Sequence, residues 1–163
     1  MNLIATNVPT PLGEMSLLGT EQCLHVAAFG DDPDQLRDRL SEELRGATMR
    51  RGETAAAQAL RDYFAGDVAA LERVEVSQPG GPFHARVWVE MRGIAPGTTV
   101  SYSELAARAG APRAVRAAAS ACARNAICLF IPCHRIVRRD GTLGGYYYGL
   151  DTKRRLLEHE RGH

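Results

Sequence analysis

The stretch SYSELAARAGAPRAVRAAASACAR, Ser101 to Arg124, decides the fold of the second half of this chain. Ser101 can accept a hydrogen bond at a helix start, and Glu104 three residues later completes a capping-box pattern. The helix it opens stops at Gly110. Pro112 then suits the start of a second helix, whose pattern runs to about Arg124. Two short helices joined by a tight glycine-containing turn are the signature of a helix-turn-helix. The second helix is built almost wholly of small side chains, with Val115 and Arg116 the large ones. Such a surface permits close approach, either to a neighbouring helix or to a nucleic-acid groove into which one long Arg can reach.

Upstream, Phe83 to Met91 reads as a helix with Phe83, Val87 and Met91 on one face, broken at Ile94 to Gly97. Before it, Ser77-Gln78-Pro79-Gly80-Gly81-Pro82 is rich in turn formers and marks a domain boundary, giving domains 1–78 and 79–163. The first domain predicts strands around Asn2 to Asn7, Met15 to Leu18 and Cys23 to Phe29. It predicts helices over Asp34 to Leu44 and Thr54 to Phe64, and a strand over Leu71 to Val76. This is a small α/β unit followed by a mostly helical one. Downstream of the helix pair, Ile127 to Val137 is an apolar, strand-like run, and a final helix is expected over Asp151 to Glu160.

Charge divides along the same boundary. Residues 1–78 carry 7 Arg against 13 acids, a net of −6, and residues 79–163 carry 12 Arg and the single Lys against 6 acids, a net of +7. The second half is therefore the candidate for an anionic partner, and forked Arg side chains suit phosphate or base edges. A solvated surface balancing an acidic neighbour fits the same numbers. Apolar residues make up 45% of the 163, enough for a core and too many for a disordered chain. No apolar run approaches the roughly 20 residues of a membrane helix, and Met1 to Thr6 lack the basic start of a secretory signal. A soluble, cytoplasmic protein without membrane partners is expected. Cys23, Cys122, Cys128 and Cys133 show neither a disulfide framework nor a CxxC pair. No metal is expected.

The densest chemical signal is Pro132-Cys133-His134-Arg135. A thiolate is a strong nucleophile, and nearby cations or a His activate it. Neighbours on a strand face opposite ways, so His134 would reach Cys133 through a water, and it needs a carboxylate behind it. Glu158 and Glu160 on the final helix are the candidates. Taken alone, a Cys–His pair is a weak signal, and a buried structural cysteine is the better reading of it.

The motif and its setting resemble the O6-alkylguanine-DNA alkyltransferase family. The resemblance rests on Pro132 to Arg135 with Asn125 eight residues before Cys133, Gly144-Gly145-Tyr146 after it, Val100-Ser101-Tyr102, Arg116-Ala117, and Leu156-Leu157-Glu158-His159-Glu160. It covers Phe83 to Glu160 almost continuously and the first half loosely, through Pro11-Leu12-Gly13 and Leu24-His25. It is strongest to the alkyltransferase domain of bacterial adaptive-response proteins and their stand-alone relatives. It implies an α/β (α+β) fold, with a small ribonuclease-H-like first domain and a winged-helix-like second domain carrying the helix-turn-helix.

The resemblance further implies that Cys133 accepts the alkyl group, with His134 as its base through a water and Glu160 orienting His134. Asn125 would bridge the helix pair to the active-site strand. Arg116 would fill the stack left by the flipped guanine, and Tyr102 would press on the adjoining phosphate. Ala117, Ser120 and Arg135 would join the DNA-facing surface, while Gly144, Gly145 and Tyr146 wall the pocket. The partner would be double-stranded DNA carrying O6-alkylguanine, and O4-alkylthymine is a further candidate lesion. No cofactor is implied, and the protein would be a monomer with cooperative contacts on DNA.

The chain departs from its relatives at three places. Ala126 stands where many have Pro, Ala118 where Val is usual, and Tyr146-Tyr147-Tyr148-Gly149 replaces Tyr-Arg-Trp-Gly. Thr20 occupies a position that would need Cys in the relatives that bind zinc, leaving Cys23 and His25 without a ligand set. Two other classes fit part of the pattern: a lesion binder that does not react, which Cys133 argues against, and a transcription regulator using the helix-turn-helix.

Overall fold

A computed structural model describes residues 2–163; Met1, where the expected first domain begins, lies outside the described residues. The chain forms two compact units, one of Met1–Pro79 with Ala126–Phe130 and one of Gly80–Asn125 with Ile131–His163. The first boundary falls at 79/80, one residue beyond the expected 78/79, and the chain crosses twice more, because Ala126–Phe130, ahead of Cys133, belongs to the first unit. The reason is backbone pairing. Ala27 donates to the Ala126 carbonyl and Cys128 donates to the Ala27 carbonyl, each at 3.0 Å. These bonds form an isolated parallel bridge of Ala27 with Ile127.

The first unit is built on a four-stranded sheet in the order β3-β2-β1-β4. Strands β1 (Asn2–Val8), β2 (Met15–Gly19) and β3 (Leu24–Phe29) form an antiparallel meander, and β4 (Thr48–Arg51) pairs parallel to β1. Leu3, Leu17, Leu18 and Val26 are buried within it. The sequence did not announce β4: Thr-Met-Arg-Arg is polar and mostly exposed, and the strand exists through edge pairing with β1.

The helix expected over Asp34 to Leu44 is instead two short pieces, a 3-10 helix Pro33–Arg39 and α1 (Glu42–Arg45), broken by extended backbone at Leu40 and Ser41. Arginine side chains occupy carbonyls at this break and at the end of α1. Arg37 Nη1 donates to Arg45 O and Ala47 O, and Arg45 Nε to Leu40 O. Helix α2 (Ala55–Phe64) starts under a Thr54 cap, whose hydroxyl accepts from Ala57 N at 3.2 Å. It buries Ala56, Ala57, Leu60 and Tyr63. Leu71 to Val76 is not a strand: a 3-10 turn Ala70–Arg73 takes its first half, and Val76 makes an isolated bridge to Leu24.

The second unit carries α3 (Pro82–Arg92), α4 (Tyr102–Arg108), α5 (Val115–Ala123) and α6 (Leu150–Arg161). Ser101 caps α4, accepting from Glu104 N at 3.1 Å, while the Glu104 side chain pairs with Arg108 rather than turning back. Helix α5 begins at Val115, three residues after the expected Pro112. Its Ala118 and Ala121 are buried, and Trp88 of α3 donates from Nε1 to Ala121 O at 2.9 Å. That bond satisfies a carbonyl near the end of α5, where intrahelical donors run out. A two-residue parallel pair, β5 (Val100–Ser101) with β6 (Ile136–Val137), ties the start of α4 to the segment after Cys133.

Candidate active site

Cys133 sits on a turn rather than a strand. Pro132 has φ −83° and ψ 68°, and Cys133 N donates to Ile131 O at 2.8 Å. This is an inverse γ-turn, which leads into a single 3-10 turn Cys133–Arg135. The turn aims Cys133, His134 and Arg135 in three directions instead of the alternation a strand imposes. Cys133 is half-buried, and His134 and Arg135 are buried.

Behind the cysteine lies a charged core. His134 Nε2 meets Glu160 Oε2 at 2.7 Å. Arg135 grips the same carboxylate as a fork, Nε to Oε1 and Nη2 to Oε2, both at 2.9 Å, and its Nη1 donates to Ile94 O at 2.8 Å. Burial alone would raise the Glu160 carboxyl, but hydrogen bonds and charge from His134 and Arg135 outweigh it and hold the group well below the usual carboxylate range. Burial pushes His134 down, with Glu160 opposing, so the imidazole is neutral. An ionised Glu160 takes the proton-bearing Nε2, which leaves Nδ1 as the basic nitrogen. Nδ1 is buried and has no hydrogen-bond partner among the described residues.

The sulfur is tuned from the other side. Burial pushes the Cys133 thiol up; a hydrogen bond from the Asn125 side chain and the charge of Lys153 pull it down. Asn125 also donates from Nδ2 to Ile131 O at 2.7 Å, and its backbone N reaches Cys122 O at 3.3 Å. One residue, through its backbone N–H and its side chain, thus joins the end of α5 to the turn that presents Cys133.

Lys153, the chain's one lysine, was not anticipated. It is 0% exposed, and its Nζ donates to Ile136 O at 2.6 Å, Leu143 O at 2.5 Å and Gly145 O at 3.2 Å. Three donors meet three carbonyls, so the ammonium staples the 143–145 loop to β6 while its charge reaches Cys133. The available signal was a lone Lys inside a chain that otherwise uses Arg, placed one helical turn before Leu156 and Leu157 of α6.

The other expected residues separate into those brought to the site and those placed elsewhere. Tyr102 is at the site; burial first, then the fields of Cys122 and Cys133, push its phenol up to about 12, so it stays a neutral donor. Gly144, at φ +72°, lies against it: a methyl there would come within 3.3 Å of Tyr102 Cε2 and of Arg138 Cγ. Tyr146 stands edge-on to Tyr148, with ring centroids 5.8 Å apart, and Tyr148 edge-on to Tyr147 at 4.9 Å. Gly145 is exposed, and its carbonyl holds Lys153. Arg116 is exposed on the first turn of α5, and Ala117 and Ser120 are half-exposed along the same helix. Arg135 is a correction: expected at the DNA-facing surface, it is 3% exposed and wholly engaged with Glu160 and Ile94. Of the two candidate carboxylates, Glu160 meets His134, and Glu158 lies exposed beside Arg154. Cys128 is buried as a small core side chain. Cys122 is half-buried and sits within the fields of Tyr102, Cys133 and Lys153, and burial pushes its thiol far up.

Fold and site define a class: a cysteine on a tight turn, backed by a buried His–Glu–Arg cluster, on the same unit as a helix-turn-helix. Residues 82–162 match the family described as 6-O-methylguanine DNA methyltransferase, DNA binding domain. The chain is 36% identical over 168 residues to a methylated-DNA–protein-cysteine methyltransferase of Salmonella typhimurium, covering 98% of this chain and 96% of the relative. It is 37% identical over 153 residues to the bifunctional transcriptional activator/DNA repair enzyme Ada of Escherichia coli, of which it spans 43%. Among solved structures, Mycobacterium tuberculosis OGT in complex with DNA superposes with a TM-score of 0.79 at 32% identity, covering 98% of this chain and 93% of that one. An archaeal O6-methylguanine-DNA methyltransferase from Pyrococcus kodakaraensis shares the fold at 22% identity and a TM-score of 0.72. The chain belongs to the methylated-DNA–protein-cysteine methyltransferase family.

Proposed function

We propose that this protein repairs alkylated duplex DNA by moving the alkyl group from O6 of guanine to Cys133, once per molecule. The observation that carries the reading is the Cys133 turn backed by neutral His134, whose Nε2 is held by ionised Glu160 and whose Nδ1 is unpaired. That arrangement supplies a base with a fixed tautomer in the residue next to the thiol. Nδ1 takes the Cys133 proton through a bridging water, and the charge of the resulting imidazolium is balanced by Glu160.

The sulfur then attacks the alkyl carbon and the C–O bond breaks, with the electron pair leaving on the guanine oxygen. Tyr102, kept protonated by its surroundings, donates a hydrogen bond to the leaving base. The product is a thioether, which has no easy reverse, so the protein is spent. The lesion is inside the stack, so the base is extruded at a cost of about a few kcal/mol. Arg116, exposed at the start of α5, fills the gap, while Ala117 and Ser120 let α5 approach the groove. Asn125 holds the turn, and Gly144, Gly145 and Tyr146 wall the pocket. The acting form is a cytoplasmic monomer that packs cooperatively on DNA.

Incubation with duplex DNA containing O6-methylguanine, followed by intact-protein and peptide mass spectrometry, tests this. One methyl group on Cys133, saturating at one lesion per protein and absent in Cys133→Ser, is the expected result. Tight, selective binding to the lesion duplex without methylation would replace the reaction with lesion recognition alone.

A further inference from the structure

Arg138 follows β6 and opens a tight turn: Gly141 N donates to Arg138 O, and Arg138 N to Thr142 O, both at 2.9 Å. The one acid of that turn, Asp140, spends its Oδ1 on Thr142 N at 3.0 Å and Thr142 Oγ1 at 2.7 Å. Arg138 is exposed and makes no ion pair among the described residues. Other arginines of this unit are exposed too. Arg138 differs in where its stem lies: its Cγ is 3.3 Å from the point that a Gly144 Cβ would occupy, and Tyr102 Cε2 and Oη are 3.3 and 3.4 Å from the same point. The missing side chain of Gly144 is thus the shared seat of Tyr102 and Arg138. The Arg138 side chain is seated beside Tyr102, and its charge is felt by both Tyr102 and Lys153.

We propose that Arg138 is a further DNA-binding residue of this site, holding the phosphate of the nucleotide whose base enters beside Tyr102. The inference rests on the function proposed above. A nucleotide rotated out of the stack carries its phosphate toward the protein, and the pocket mouth must supply a cation there. The buried cations, Arg135 and Lys153, are fully committed to protein acceptors and point inward. Arg138 has a stem fixed by packing and a fork free to grip two phosphate oxygens.

The test uses Arg138→Met and Arg138→Lys, which both keep the stem that packs on Gly144, with Arg155→Met on exposed α6 as a matched loss of one charge. Each is placed in the unreactive Cys133→Ser protein, and binding to an O6-methylguanine duplex and to its undamaged counterpart is measured over a range of salt. One neutralised phosphate contributes about 0.9 to the slope of log K against log salt. Arg138→Met is expected to lower the slope by about that amount on the lesion duplex and by less on undamaged DNA. Arg138→Lys is expected to restore it, and Arg155→Met to leave it near the parent value. An unchanged slope in Arg138→Met, or a loss that Lys does not restore, overturns the proposal. Absence of methyl transfer by the wild-type protein would overturn the reaction instead, and the binding slopes would still judge the clamp.

Discussion

The two units bury different things. In the first, the buried polar side chains among the described residues are Thr6 and Ser16, both hydrogen-bonded to backbone carbonyls; the rest of the core is apolar, with Tyr63 and Phe130 its aromatic members. In the second, His134, Arg135, Lys153 and Glu160 are all nearly inaccessible. The first core follows from apolar area alone. The second takes charges out of water, which costs several kcal/mol per ion before pairing offsets it. Replacing such a cluster with apolar side chains is often neutral or stabilising, so its presence is better explained by the chemistry it supports than by stability. The contrast separates a unit whose core follows from apolar burial from one that buries a charged cluster behind Cys133.

The largest effect that sharpens this contrast should come from Glu160→Gln. It leaves Arg135 buried without its counter-ion and lets His134 lose its fixed tautomer. Methyl transfer should fall by about 10²–10⁴-fold, and unfolding should become easier by about 3–5 kcal/mol. Single-turnover kinetics and urea denaturation measure the two. A variant that transfers normally would remove the His–Glu pair from the mechanism.

Next comes the first unit's own counterpart, Leu60→Ala in α2, expected to cost about 2–5 kcal/mol of stability through the cavity it leaves. Its transfer rate, measured where the protein remains folded, should equal that of wild type. A rate that falls in step with stability would break the division of labour.

Lys153→Met is a change of the same kind as Glu160→Gln, with a smaller expected effect on transfer. It strands the carbonyls of Ile136, Leu143 and Gly145, at about 1–3 kcal/mol for each that stays buried and unpaired. It also removes a positive charge that pulls the Cys133 thiol down. The pH profile of Cys133 alkylation should therefore move to higher pH. A profile that stays in place while stability falls would make Lys153 a staple and nothing more.

The smallest expected difference is in acid. His134 has a folded pKa below its unfolded value of about 6.5, so below that pH the unfolded chain binds a proton the folded one refuses, and stability falls as pH drops. Glu160 adds a second window: its stabilisation is present above about pH 4.3, the unfolded value, and is lost as pH falls through its depressed folded value. Each proton is worth about 1.4 kcal/mol per pH unit. Hydrogen exchange at pH 7 and 5 should show protection falling more in the second unit than in the first. Equal loss in both units would place the acid-sensitive groups elsewhere.

Much of the second unit was legible because its signals are local. The Ser101 cap, the stop at Gly110 and the small face of α5 each depend on neighbours within a few residues, so the sequence places the helix pair to within a turn. The meander β1–β3 was legible for the same reason. The failures share a cause as well. Strand β4 exists only by pairing with β1, some 46 residues away, and Asp34 to Leu44 is broken at Leu40 and Ser41, where Arg45 Nε takes the Leu40 carbonyl that a continuous helix would have used.

Residue order and composition were enough for a small α/β unit before a helical one, the charge split between them, and Pro-Cys-His-Arg downstream of a helix-turn-helix. It took the folded chain to show Glu160 meeting His134, a pairing that the residue pattern left open with Glu158 and the family resemblance alone favoured, and to show that Arg135 faces inward, that Lys153 closes the 143–145 loop, and that Ala126–Phe130 returns to the first unit. Each of these joins groups far apart along the chain, or one of two side chains separated by half a helical turn. No periodicity chooses between them. Burial does, because a charge or a carbonyl removed from water must find its partner wherever the fold has brought one.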